Sequence, residues 1–160
     1  MVIKKNKGSK GFTYPAALAM ILVTSISLMG VQKYWSTTMR REREKALLFN
    51  GGQIYNAIES YYRAGNQKIG TFPRALKDLL RDPRFGVIKR HLRRIYPDPM
   101  TVDGQWQLVL DGQGNIRGVF SRSLARPLKQ NGFPEHLSHF KNKTMYSEWK
   151  FVFEPTKKGG

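Results

Sequence analysis

The histidines His91, His136 and His139 are the residues best suited to acid–base or metal chemistry in a chain that holds no cysteine. His136-x-x-His139 would place two imidazoles on one face of a helix, a spacing that zinc sites use, but such a site needs further ligands. No third ligand is evident beside this pair, and Pro134 and Ser138 favour a loop, so surface or structural histidines are expected. The stretch GQGNIRG at 112–118 has the glycines of a phosphate loop without their spacing, and it lies between strand-like runs rather than opening a helix. A hairpin turn is expected there. No serine sits in a G-x-S-x-G elbow and no carboxylates are paired for acid–base work, so the sequence does not read as an enzyme. The lack of cysteine excludes disulfides, thiol catalysis and Cys-ligated metal centres.

Charge offers a different kind of chemistry. Lysine and arginine total 28 against 11 acids, a formal +17 over 160 residues, which favours an anionic partner such as nucleic acid, lipid headgroups or an acidic protein. Lys89, Arg90, Arg93 and Arg94 form the densest patch, opposite Phe85, Ile88, Leu92 and Ile95 at helical spacing, so a basic helix is expected over this stretch. Asn142-Lys143-Thr144 fits a glycosylation acceptor, for which chance is the expected explanation.

The elements that would carry these residues read as follows. Residues 11–32 hold no charge, and as a helix they would extend about 33 Å, matching a hydrocarbon core of about 30 Å. A transmembrane helix is therefore expected over 12–35, closed by Tyr34 and Trp35 as an aromatic belt. Lysines and arginines flank it about equally, so charge alone does not orient it. From 36 to 65 the pattern turns amphipathic, with Leu47, Ile54, Ile58 and Tyr61 forming a stripe that should face a sheet. Arg40, Arg41, Glu42, Arg43, Glu44 and Lys45 read as a solvated collar, and Gly51 and Gly52 as a bend or a close approach. Ala64-Gly65 ends this helical stem.

A short second helix should start at Pro73 and stop near Asp82-Pro83. QWQLVL (105–110) and IRGVFS (116–121) read as a hairpin with Trp106, Leu108 and Leu110 on one face, and EWKFVF (148–153) as a final strand after a long loop. The tryptophans at 106 and 149 and the tyrosines at 55, 61 and 62 are expected in the core. The fold class expected is α+β, a long N-terminal helix packed on a small antiparallel sheet, with 66–160 as the globular domain.

Lys10-Gly11-Phe12-Thr13, a basic leader ending in glycine ahead of an unbroken apolar run, resembles the class III signal of type IV pilins and type II secretion pseudopilins. REREKALLFNGGQIYNAIESYYRA (41–64), FPRALKDLLRDPR (72–84), RHLRRIYPDPMT (90–101) and YSEWKFVF (146–153) likewise resemble the domain of major-pseudopilin-like proteins. The resemblance implies a pilin-like fold, cleavage of leader 1–11 by prepilin peptidase between Gly11 and Phe12, and N-methylation of Phe12. It also implies assembly through the helix that carries Thr13, Ala16, Leu18 and Leu22. Its partners would be other pseudopilin subunits, prepilin peptidase, an inner-membrane assembly platform and membrane lipid. The localisation implied is the bacterial inner membrane, single-pass, with the C-terminal domain in the periplasm.

Ala16 departs from the family, which usually carries a glutamate at the fifth mature position. Two readings stand: a tip or initiating subunit with no neighbouring amine to pair, or pairing through Thr13 or backbone carbonyls. Major pseudopilins often hold calcium in a C-terminal loop. The corresponding loop here, 124–148, offers only Glu135 and Glu148 amid basic residues, with Asp98, Asp103 and Asp111 elsewhere, so no cofactor is expected. The function implied is a structural subunit of a type II secretion filament. The alternative is a minor pilin-like subunit of a DNA-uptake or pilus system that binds nucleic acid through Lys89, Arg90, Arg93 and Arg94.

Overall fold

A computed structural model of the chain describes residues 13–65 and 70–155, with the side chains of residues 13 and 26–34 outside the description. The expected leader 1–11 and its cleavage and methylation residues, Gly11 and Phe12, lie outside the described residues. The chain divides into two compact units, Met1–Arg40 and Arg41–Gly160. Helix α1 (Thr13–Ala64) runs for 52 residues.

Among the described residues no helix is long and apolar enough to cross a membrane. That corrects the transmembrane helix expected over 12–35, and with it the single-pass assignment and the inner-membrane, periplasm-facing localisation. Residues 14–25 include Tyr14, Pro15, Thr24 and Ser25 among their apolar neighbours. The Thr24 hydroxyl donates to the Met20 and Ile21 carbonyls, and Ser25 Oγ donates to Ile21 O at 2.7 Å, so these polar groups are answered inside the helix itself.

In the second unit α1 lays down a single stripe. Leu47, Ile54, Ala57, Ile58 and Tyr61 are buried at spacings of three, four and seven residues, as the amphipathic pattern requires. Gly51 belongs to the same stripe, and a Cβ there would fall into the Phe151 ring, so the close approach expected of this glycine is made by a ring rather than by a helix. Three short strands follow: β1 (Gln107–Leu110), β2 (Ile116–Phe120) and β3 (Phe151–Val152), antiparallel in the order β1-β2-β3. The α+β class is as expected. Trp106, Ile116, Val119, Phe140, Tyr146, Trp149, Phe151 and Phe153 complete the core. Phe140 stacks on Trp149 at 5.2 Å between ring centres and meets Phe151 edge-on at 5.0 Å.

The hairpin turn is tied by Asp111, whose carboxylate accepts from the backbone N–H of Gln113 and Asn115 while Gly114 takes φ +81. Register slips between Val109 and Leu110, and Leu108 and Leu110 remain exposed on this edge strand rather than joining Trp106 in the core.

The other elements are shorter than their patterns suggest. The second helix is one 3₁₀ turn, Leu76–Leu79, and the final strand is two residues because Tyr146–Glu148 coils into another 3₁₀ turn. Residues 85–96 form no helix. Their backbone pairs with another segment: the N–H groups of His91 and Leu92 both donate to Leu79 O, and Asp82 N–H donates to Lys89 O. Of the four apolar residues at helical spacing, only Leu92 is buried.

Candidate functional site

The positions expected to drive assembly lie on the first part of α1. Ala16, Leu18 and Leu22 are exposed there, while the side chain of Thr13 is outside the description. Leu18, Met20, Ile21, Leu22 and Val23 are 46%, 72%, 60%, 64% and 63% exposed. At about 100° per residue these five positions surround the helix, so the apolar surface forms a full sleeve instead of a stripe.

Lys89, Arg90, Arg93 and Arg94 are all exposed, on an irregular segment instead of one helical face. Lys89 Nζ sits 4.4 Å from the centre of the Phe85 ring, and Arg94 lies over Tyr96 at 5.0 Å. None of the four is ion-paired with a carboxylate among the described residues. The patch is therefore open to an anion but is not preorganised by a helix.

His136 and His139 fall on a 3₁₀ helix, Glu135–Phe140, rather than in a loop, and residues three apart eclipse on such a turn. Both line a cavity of about 580 Å³ together with Tyr55, Arg117, Lys150 and Glu154. His136 stacks on Tyr55 at 5.3 Å, and His139 Nε2 lies 2.9 Å from the Lys150 carbonyl, which fixes it as a donor. Among the described residues no group of three or more His, Cys, Asp or Glu side chains could hold a metal ion. The candidate calcium acids are each engaged locally. Asp98 accepts from Met100 N–H through Oδ1 while its buried Oδ2 has no hydrogen-bond partner among the described residues, and Asp103 pairs with Arg122. The Arg122 hydrogen bond holds the Asp103 carboxyl below its ordinary range, and the Asn115 backbone N–H does the same for Asp111.

Two constellations escaped the sequence. Glu44, read as part of a solvated collar, is buried: its carboxylate accepts from Leu128 N–H at 2.7 Å, Lys129 N–H at 3.1 Å and the Tyr146 hydroxyl at 2.8 Å. It pins the 124–148 segment to α1. The second joins Ser60 on α1 with Asp82, Arg84 and His91. Ser60 Oγ lies 2.8 Å from His91 Nδ1, and His91 Nε2 lies 3.1 Å from Asp82 Oδ2. Arg84 donates to Asp82 from its backbone N–H and its guanidinium, to Tyr61 O at 2.7 Å and to Thr71 Oγ1 at 3.0 Å, with its plane 3.7 Å above the Tyr61 ring. Burial alone would raise the Asp82 carboxyl, but the Arg84 and His91 hydrogen bonds override it and push it down to about 2. The Asp82-Pro83-Arg84 turn left a local trace in the sequence. The joining of residues 60, 82 and 91 left none.

Comparison with family models, with curated proteins and with solved structures finds no match.

Proposed function

We propose that this chain is a pseudopilin-like structural subunit of a type II secretion filament, with copies assembling through the first part of α1. The observation that carries the reading is the sleeve of exposed apolar side chains from Leu18 to Val23. A helix that is apolar on every side must be buried by something. In this reading neighbouring copies of the same helix cover it, and a repeated head-to-tail rotation that does not close gives a fibre. Each of these side chains, moved from water into such a bundle, gains about 1.5–3 kcal/mol, enough for five of them to offset the cost of association.

The likeness of Lys10-Gly11-Phe12-Thr13 to a prepilin leader supports the same reading and adds prepilin peptidase, other pseudopilins and a secretion assembly platform as partners. Intact-mass analysis of the chain co-produced with a prepilin peptidase tests it. The expected product begins at a methylated Phe12; a chain that keeps its first eleven residues contradicts the proposal.

The unpaired cations at Lys89, Arg90, Arg93 and Arg94 favour a second reading, a minor pilin-like subunit that holds nucleic acid. Removing the four leader lysines leaves 28 − 4 = 24 basic residues against 11 acids, so a chain cut after Gly11 still carries +13. Phosphate contacts of this kind weaken steeply with salt. A mobility shift of DNA by the full chain, lost when Arg93 and Arg94 are changed to Glu, would support it; no shift at low salt would remove it.

A further inference from the structure

Ser60, His91 and Asp82 are connected as a nucleophile, a base and an orienting acid would be. Asp82 has no exposed side-chain surface and accepts from Arg84 as well as His91, so near neutral pH it is a carboxylate that only accepts. His91 Nε2 therefore donates to it, and when the ring carries a single proton Nδ1 is the nitrogen that can accept from the Ser60 hydroxyl. The ring is turned relative to serine proteases, whose Nε2 faces the hydroxyl, but the roles need only one accepting and one donating nitrogen.

Access separates the three residues. His91 has a side chain 1% exposed and is held edge-on to the Tyr61 ring at 5.4 Å, whereas Ser60 opens onto a cleft of about 480 Å³. Asn56, one turn before Ser60, and Lys89, from the segment carrying His91, line the same cleft, together with Glu59 and the Arg63 that pairs with it. An amide and an ammonium there can receive negative charge developing on a carbonyl oxygen.

We propose that Ser60 is a nucleophile, activated by His91, that accepts an acyl group from an activated ester of a small carboxylic acid. Ser60 Oγ bonds to the acyl carbon as its proton passes to His91 Nδ1. The bond from carbon to the leaving oxygen then breaks, and the proton returns to that oxygen to release the alcohol. The acyl group stays on Ser60 as an ester, with no oxidant or metal required.

The test is to treat the full chain with p-nitrophenyl acetate and follow acetylation residue by residue by peptide mass spectrometry. Ser60 should be acetylated at least about tenfold faster than the exposed Ser138, the lower end of what a positioned base contributes being larger still. Ser60→Ala should remove that adduct, and His91→Gln should slow acetylation of Ser60 about tenfold or more while lysine acetylation stays unchanged. Equal rates at Ser60 and Ser138 in the unaltered protein overturn the proposal, and so does a Ser60 rate indifferent to a folded His91→Gln variant. The first comparison needs no substitution, so it decides the matter even if His91→Gln fails to fold.

Discussion

The two ends of α1 use the same backbone for opposite purposes. Between 44 and 61 one stripe is buried, every large apolar side chain in it meets the sheet or the rings around it, and its one acid is answered by three donors. Between 18 and 23 the apolar side chains point in all directions and remain exposed. A stripe can be satisfied by the chain's own fold, whereas a sleeve needs several neighbours at once. The burial difference places the second stretch in the folded core, and on the proposed reading the exposed first stretch serves association. Substitutions should therefore separate cleanly between unfolding and assembly.

The largest effect on folding is expected at the centre of the core. Trp149→Ala removes a fully buried ring held between Phe140, Phe133 and Tyr146, and should cost about 4 kcal/mol in denaturant unfolding. Glu44→Ala should come next, at about 3 kcal/mol, because it leaves the N–H groups of Leu128 and Lys129 and the Tyr146 hydroxyl without their acceptor. If Glu44→Ala proved neutral, the contrast between a collar in solvent and a buried anchor would be lost.

Asp82 sets the acid limit of the second unit. Its carboxyl is depressed in the folded state from 3.8 to about 2, so its contribution is fully present above about pH 4 and disappears as pH falls through 2. Stability measured against pH should drop by about 2 kcal/mol across that window, and Asp82→Asn should flatten this part of the profile. The smallest folding effect belongs to the sleeve: Leu22→Ser should change unfolding by less than about 0.5 kcal/mol. The same substitution should abolish polymer formation seen by electron microscopy, which would sharpen the division between the two stretches.

What the sequence made legible follows the range over which its patterns act. The stripe of Leu47, Ile54, Ile58 and Tyr61 and the 107–120 hairpin rest on periodicity and a local glycine turn, and both are present in the fold. The segment 85–96 has helical spacing too, yet Gly86 and hydrogen bonds to and from residues 79 and 82 draw its backbone into another partnership that periodicity does not register. The apolar run of 11–32 suggested a bilayer by length alone, while no helix among the described residues is long and apolar enough to span one. Glu44 hid inside a run of alternating charge because its partners lie 84 to 102 residues further on. A separation of 31 residues hid the meeting of Ser60 with His91: neither residue carries a local motif, and only the loop's docking on α1 brings them within hydrogen-bond reach.

The claim that copies of this helix cover one another is open to direct covalent trapping. The chain has no cysteine, so a Leu18→Cys/Leu22→Cys variant places two thiols on the sleeve and nowhere else. Oxidised in cells that co-produce prepilin peptidase, it should give a ladder of covalent oligomers, whereas the same pair placed at Asn131 and Ser138 in the second unit should give none. A sleeve variant that stays monomeric under these conditions, with both thiols reactive to a small maleimide, would contradict the account.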